Sequence, residues 1–209
     1  MKNLNNYINE ALIKKNTKVK TCNYFPKDRD ELRSLLEQLL KERGKDADLN
    51  DIDVSKIDDM GSKSNIGLFE ELDPHNIDIS QWDVSNVENT SRMFYECKNV
   101  NCDLSQWDVS SIIDMHEMFY GCSNFDSDLS EWDVSNVKSA YQMFCGCRKF
   151  NCDLSKWNVS NVLYMQYMFY FCKNFNSDLS NWNVKKVITT WKMFCGCNSL
   201  KNKPLWYKG

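Results

Sequence analysis

Five tryptophans, Trp82, Trp107, Trp132, Trp157 and Trp182, stand 25 residues apart without a slip. A fixed period of this length is the mark of a repeat architecture, because each unit supplies the same face to its neighbour. The other columns keep the same period. Phe94, Phe119, Phe144, Phe169 and Phe194 each follow a methionine, and Cys97, Cys122, Cys147, Cys172 and Cys197 close each motif. Val84, Val109, Val134, Val159 and Val184 follow the tryptophans by two residues. Asp78, Asp103, Asp128, Asp153 and Asp178 open the five units. A 25-residue unit cannot bury its apolar face alone, so the units must stack. The Trp, Phe and Cys columns are then structural ladders along one core.

A sixth, degenerate unit comes first. Asp48, Leu49, Ile52, Asp53 and Val54 match Asp78, Ile79, Trp82, Asp83 and Val84 at a spacing of 30, while Leu68-Phe69 matches Met93-Phe94 at 25. Five extra residues therefore lie between Met60 and Leu68. Within a unit, Met115, Met118, Phe119 and Cys122 fall at i, i+3, i+4, i+7, the spacing of one face of a short helix. Segments such as Asp83–Asn86 offer side-chain oxygens to cap it, and stretches such as SDLSEW are short enough for a strand of a few residues. Ahead of the repeats, Leu32, Leu35, Leu36, Leu39 and Leu40 form a helical stripe that Gly44 is placed to stop. Leu4, Tyr7, Ile8, Ala11 and Leu12 suggest an earlier helix, and TKVKTCNYF between the two a strand. The expected class is an α/β repeat solenoid, a leucine-rich-repeat-like stack of short strand plus short helix units. Residues 1–47 form an N-terminal helical cap. Residues 48–209 form the solenoid, with a degenerate unit at 48–77, five regular units from 78, and a short C-terminal cap at Leu205 and Trp206.

The unit DLSQWDVSSIIDMHEMFYGC resembles that of the BspA-like leucine-rich-repeat surface proteins, over residues 48 to about 200. The resemblance implies a leucine-rich-repeat-like solenoid and roles in adhesion or protein binding, and members occur also in phages and other viruses. It carries over no functional residue.

Charge and cysteine usage narrow the function. Residues 1–47 carry 11 Lys/Arg against 7 Asp/Glu, and the rest 15 against 22. An acidic body does not suit phosphate tracking, which needs clustered cations, so no nucleic-acid partner is expected. No run approaches the length of a membrane span and the N-terminus has no apolar signal region, so neither membrane insertion nor classical secretion is expected. The chain is then cytoplasmic as synthesised, reaching a cell surface or virion only by another route. Of the CxC pairs Cys145/Cys147 and Cys195/Cys197, the second members belong to the cysteine column and the first share a column with Tyr95, Tyr120 and Tyr170, which is not how metal ligands behave, so the cysteines are expected as core thiols. The Asp78 column suits turns better than calcium. No catalytic motif is present, and the many carboxylates recur as ladders where a catalytic pair would be singular. No enzyme activity, cofactor or metal is expected.

The positions that differ between units are the informative ones. Around the Met-Phe motif they become aromatic in the later units, at Tyr141, Tyr164, Tyr167 and Trp191, with His116 in the same set. Tyrosine and tryptophan are enriched at binding hot spots. The expected function is non-enzymatic recognition of a protein or glycan through these residues. The alternatives are a structural component of a virus or phage particle and a calcium-dependent adhesin. Were the aromatic positions core, the column of Gln81, Gln106, Glu131, Lys156 and Asn181 would be the face to consider.

Overall fold

The computed structural model describes residues 21–208. The early helix expected around Leu4 to Leu12 lies outside the described residues, as does the first part of the expected strand. Its remainder contributes one parallel bridge, Tyr24 to Ile52. Helix α1 spans Arg29–Arg43. Asp28 starts it, its carboxylate accepting from the Asp30 and Glu31 amides, and Gly44 at φ 90° ends it. Leu32, Leu36, Leu39 and Leu40 are buried and join the same core as the repeats, while Leu35 packs at its margin.

From Asp48 onward each unit lies on the next. Parallel bridges link Asp59 to Asn89, Asn89 to Asp114, Asp114 to Ser139, Ser139 to Tyr164 and Tyr164 to Thr189. The first step is 30 residues and the others 25, so the five extra residues loop out without shifting the register.

The short helix expected in every unit does not form. Backbone amides of the Met-Phe segment alternate between two destinations. Met93, Tyr95 and Cys97 donate three residues back, to Thr90, Arg92 and Phe94. Arg92, Phe94 and Glu96 donate instead to His116, Met118 and Tyr120 of the following unit. An α-helix would keep every one of these bonds within its own segment; here half of them join neighbours. The alternation requires left-handed backbone at Arg92, Glu117, Gln142, Tyr167 and Lys192, with φ between 53° and 57°. A right-handed helix cannot contain such residues. The i, i+3, i+4 spacing misleads because successive three-residue turns also return side chains to one side at those intervals. The expected strand in stretches such as SDLSEW is likewise a turn, with the Trp132 amide donating to Leu129 O. Among the described residues, β-pairing consists of isolated bridges only.

The ladders are the core. Phe69, Phe94, Phe119, Phe144, Phe169 and Phe194 stack with successive centroids 4.9, 5.5, 5.6, 5.7 and 5.8 Å apart. Each tryptophan of the column Trp82, Trp107, Trp132, Trp157 and Trp182 is at most 5% exposed, and its indole N–H reaches a backbone carbonyl of the preceding unit. Trp107 donates to Ile79, Trp132 to Leu104, Trp157 to Leu129 and Trp182 to Leu154, at 2.9–3.1 Å. A buried donor left unpaired would be costly, so this bond is what lets so large a polar-tipped ring sit inside. Trp206 continues the column: it stacks on Trp182 at 6.3 Å and donates to Leu179 O. Leu205, expected to help it close the last unit, is fully exposed.

Candidate binding surface

The left-handed column sets the geometry of the variable face. Because Tyr167 sits at φ 57°, its side chain leaves the core side and lies along the outside between Tyr141 and Trp191. The rings of Tyr141 and Tyr167 meet edge to face at 6.4 Å, and those of Tyr167 and Trp191 at 5.0 Å. Three of the four predicted aromatic residues thus form one run across three units. Trp191 is 49% exposed, and Lys192 Nζ lies 4.5 Å from its ring. Tyr164 is also exposed, at 42%, but joins none of the ring contacts. Gln166, between Tyr141 and Trp191 in its column, holds its amide oxygen buried without a partner among the described residues.

His116 is occupied otherwise. Its Nδ1 lies 2.9 Å from both carboxylate oxygens of Asp114. That bond raises its pKa above the ordinary histidine value against the opposing effect of partial burial. Its ring is held by that local hydrogen bond to Asp114.

Two residues extend the surface beyond the sequence reading. Tyr170 meets Tyr167 at 5.4 Å and Phe171 at 4.5 Å. Phe171 is 46% exposed and left-handed, in the column that otherwise reads Glu96, Gly121, Gly146 and Gly196. A phenylalanine among glycines was the available signal. Gly121 and Gly146 line a trough of about 650 Å³ together with Tyr120, Cys145, Tyr170, Phe171, Lys98 and Arg148. Upstream, Tyr120 stacks on Tyr95 at 4.7 Å, and the Arg92 guanidinium covers the far face of that pair, 3.6 Å from the Tyr95 ring.

The remaining columns are engaged locally. Asp78, Asp103, Asp128, Asp153 and Asp178 each accept from the amide two residues on, at Ser80, Ser105, Ser130, Ser155 and Ser180. These are Asx turns, and the amide bonds lower the carboxyl pKa of Asp128 and Asp153, while that of Asp178 is lowered first by the Ser180 side chain and then by its amide. Cys97, Cys122, Cys147 and Cys172 are buried, each thiol donating to the carbonyl of the phenylalanine 28 residues earlier. Burial pushes the Cys102 and Cys152 thiols up to about 12 and that of Cys145 to about 11. All ten cysteines are unpaired. Among the described residues, no group of three or more His, Cys, Asp or Glu side chains is placed to hold a metal ion. No helix there is long and apolar enough to cross a membrane. Gln81, Gln106, Glu131, Lys156 and Asn181 line an exposed polar strip, with Lys156 and Glu131 paired at 2.6 Å.

One family model, described as that of a Mycoplasma protein of unknown function, DUF285, matches residues 33–151 and again residues 96–206. No curated protein and no solved structure matches the chain.

Proposed function

We propose, for a chain that belongs to this Mycoplasma family of unknown function, that it is a non-enzymatic recognition module, a repeat solenoid of the BspA-like, leucine-rich-repeat-like kind. The solenoid reading is supported by the 25-residue step of the parallel bridges and of the Phe and Trp stacks. The recognition reading rests on one observation, the continuous aromatic run from Tyr141 through Tyr167 to Trp191, extended by Tyr170 and Phe171. Rings packed edge to face are already ordered, so a partner that covers them spends little conformational entropy. A contiguous exposed aromatic surface of this kind marks contact sites. A protein or a glycan carries the apolar faces that this surface takes.

The test is the double variant Tyr167→Ala/Trp191→Ala, screened beside the wild type on glycan and protein arrays. The expected outcome is a melting temperature close to wild type. Any array ligand of the wild type should bind the variant about 30-fold more weakly, or about 2 kcal/mol, the scale of a hot spot. Undiminished binding by a variant that melts early would place these rings in the fold and move the contact face to the Gln81–Asn181 strip.

A further inference from the structure

The two ends of the stack are chemically opposite. In the four units from Asp78 to Ser177 the outward-directed amides of the Met-Phe segment point toward the C-terminal neighbour, and the carbonyls they reach point back; in the degenerate first unit only the Phe69 amide does so, since that of Gly67 donates to the Glu70 carboxylate. The pattern is Arg92 to His116, Phe94 to Met118 and Glu96 to Tyr120, repeated at Glu117, Phe119 and Gly121 and at Gln142, Phe144 and Gly146. Along this edge the first unit therefore ends in bare acceptors and the last in bare donors.

The acceptor end is covered. Ile66, Leu68 and Glu70 carry the carbonyls that a preceding unit would have used. Arg29 donates to Ile66 O, and Arg33 to Leu68 O and Glu70 O, at 2.9 and 3.0 Å for the latter two. Among the described residues the donor end is not. Tyr207 takes one amide, that of Phe194. The Lys192 and Gly196 amides, which stand where Glu117 and Gly121 stand, have no acceptor among the described residues. The same last unit carries a groove of about 810 Å³, lined in part by Trp182, Val184, Val187, Ile188, Thr190 and Trp206. Val184 and Val187 are half-buried there, whereas their counterparts Val159 and Val162 are 2% exposed, and Ile188 is 64% exposed.

Charge says what fits. From residue 179 onward there are six lysines and no Asp or Glu, against 22 Asp/Glu and nine Lys/Arg in residues 48–178. None of those six lysines makes an ion pair among the described residues; Lys186 instead donates to Asn161, and Lys192 and Lys203 lie over rings. We infer that this C-terminal face docks an extended acidic polypeptide segment of a partner protein. Its main-chain carbonyls take the Lys192 and Gly196 amides, its apolar side chains fill the groove, and its carboxylates meet Lys185 and Lys208. The mode is strand addition, in which main-chain bonds give affinity and side-chain pockets give choice. A second copy stacked head to tail is a poorer occupant, since its own acceptor edge is already held by Arg29 and Arg33.

The inference does not depend on the Tyr141–Tyr167 surface, and the test keeps the two apart. A short synthetic peptide alternating Val or Ile with Asp or Glu is titrated into the full chain while amide hydrogen exchange is followed by NMR. A matched peptide with lysine in place of the acids is the control. Expected are unprotected Lys192 and Gly196 amides in the free protein and slowed exchange at both with the acidic peptide. Lys185→Glu/Lys208→Glu, two exposed positions, should weaken the complex at least tenfold, and Tyr167→Ala should leave it unchanged. Equal binding of the basic peptide, full affinity in the charge-reversed variant, or protection of both amides without peptide would each overturn the proposal. So would a concentration-dependent dimer that protects them, which would make the occupant a second copy.

Discussion

The tryptophan column is where a single residue does most for this fold. Trp132 is 4% exposed and its indole N–H donates to Leu104 O, so the ring both fills space and satisfies a carbonyl. Trp132→Ala should cost about 3–5 kcal/mol, read as a drop in the denaturation midpoint. Trp132→Phe, which keeps much of the volume and loses only the donor, should cost less. Wild-type stability in Trp132→Ala would remove the column from the core. The sequence marked these ladders because burial repeats with the period in the tryptophan column and in the phenylalanines, where nothing polar interrupts it, and in the cysteine column as far as Cys172. Cys197 is only partly buried, and Cys195, expected as a core thiol, is exposed because it lies in the last unit with no following unit over it among the described residues. The sequence could not reveal the backbone at Arg92, Glu117, Gln142, Tyr167 and Lys192. Non-glycine residues adopt left-handed φ rarely, and five chemically different side chains at one position give no sign of it. That hidden feature turned an expected helix face into turns, placed Tyr167 between Tyr141 and Trp191, and left Tyr164 apart.

Helix α1 is the element whose loss would be felt beyond its own length. Its leucines were legible as a stripe, but the work of Arg29 and Arg33 was not, since their partners are main-chain oxygens that a sequence does not distinguish. Arg33 reaches Gly67 O at 2.7 Å as well as Leu68 O and Glu70 O. Arg33→Met keeps the aliphatic stem and strips the donors. It should destabilise the chain by about 2 kcal/mol, since a partly buried acceptor left unpaired costs about 1–3 kcal/mol and water can reach some of the three. Hydrogen exchange should quicken first at the Phe69 amide, whose bond to Met93 O is the next one in the ladder. A variant as stable and as protected as wild type would mean that solvent serves these carbonyls equally well.

For the molecule as a whole, stability adds up from units and the contacts between them. Since equivalent positions are 25 residues apart from Asp78 onward, deleting residues 118–142 joins Glu117 to Met143. Each half-ladder then meets the partner it would have had. That chain should fold cooperatively, with a denaturant slope reduced roughly in proportion to the length removed. A deletion one residue longer brings mismatched columns together and should leave no cooperative transition. If both deletions behaved alike, the period would be incidental to the packing.

The same constancy of step reaches back to the gene. A unit that counts 25 codons is in frame with every other unit, so unequal exchange between two copies adds or removes whole coils and never a fraction of one. Products of such exchange inherit a complete core and both ends, and differ only in how many outward-facing positions stand between them. Length is thus the cheapest trait for this lineage to vary, and the outer side chains of a newly duplicated coil are free to drift while its ladders hold it in place.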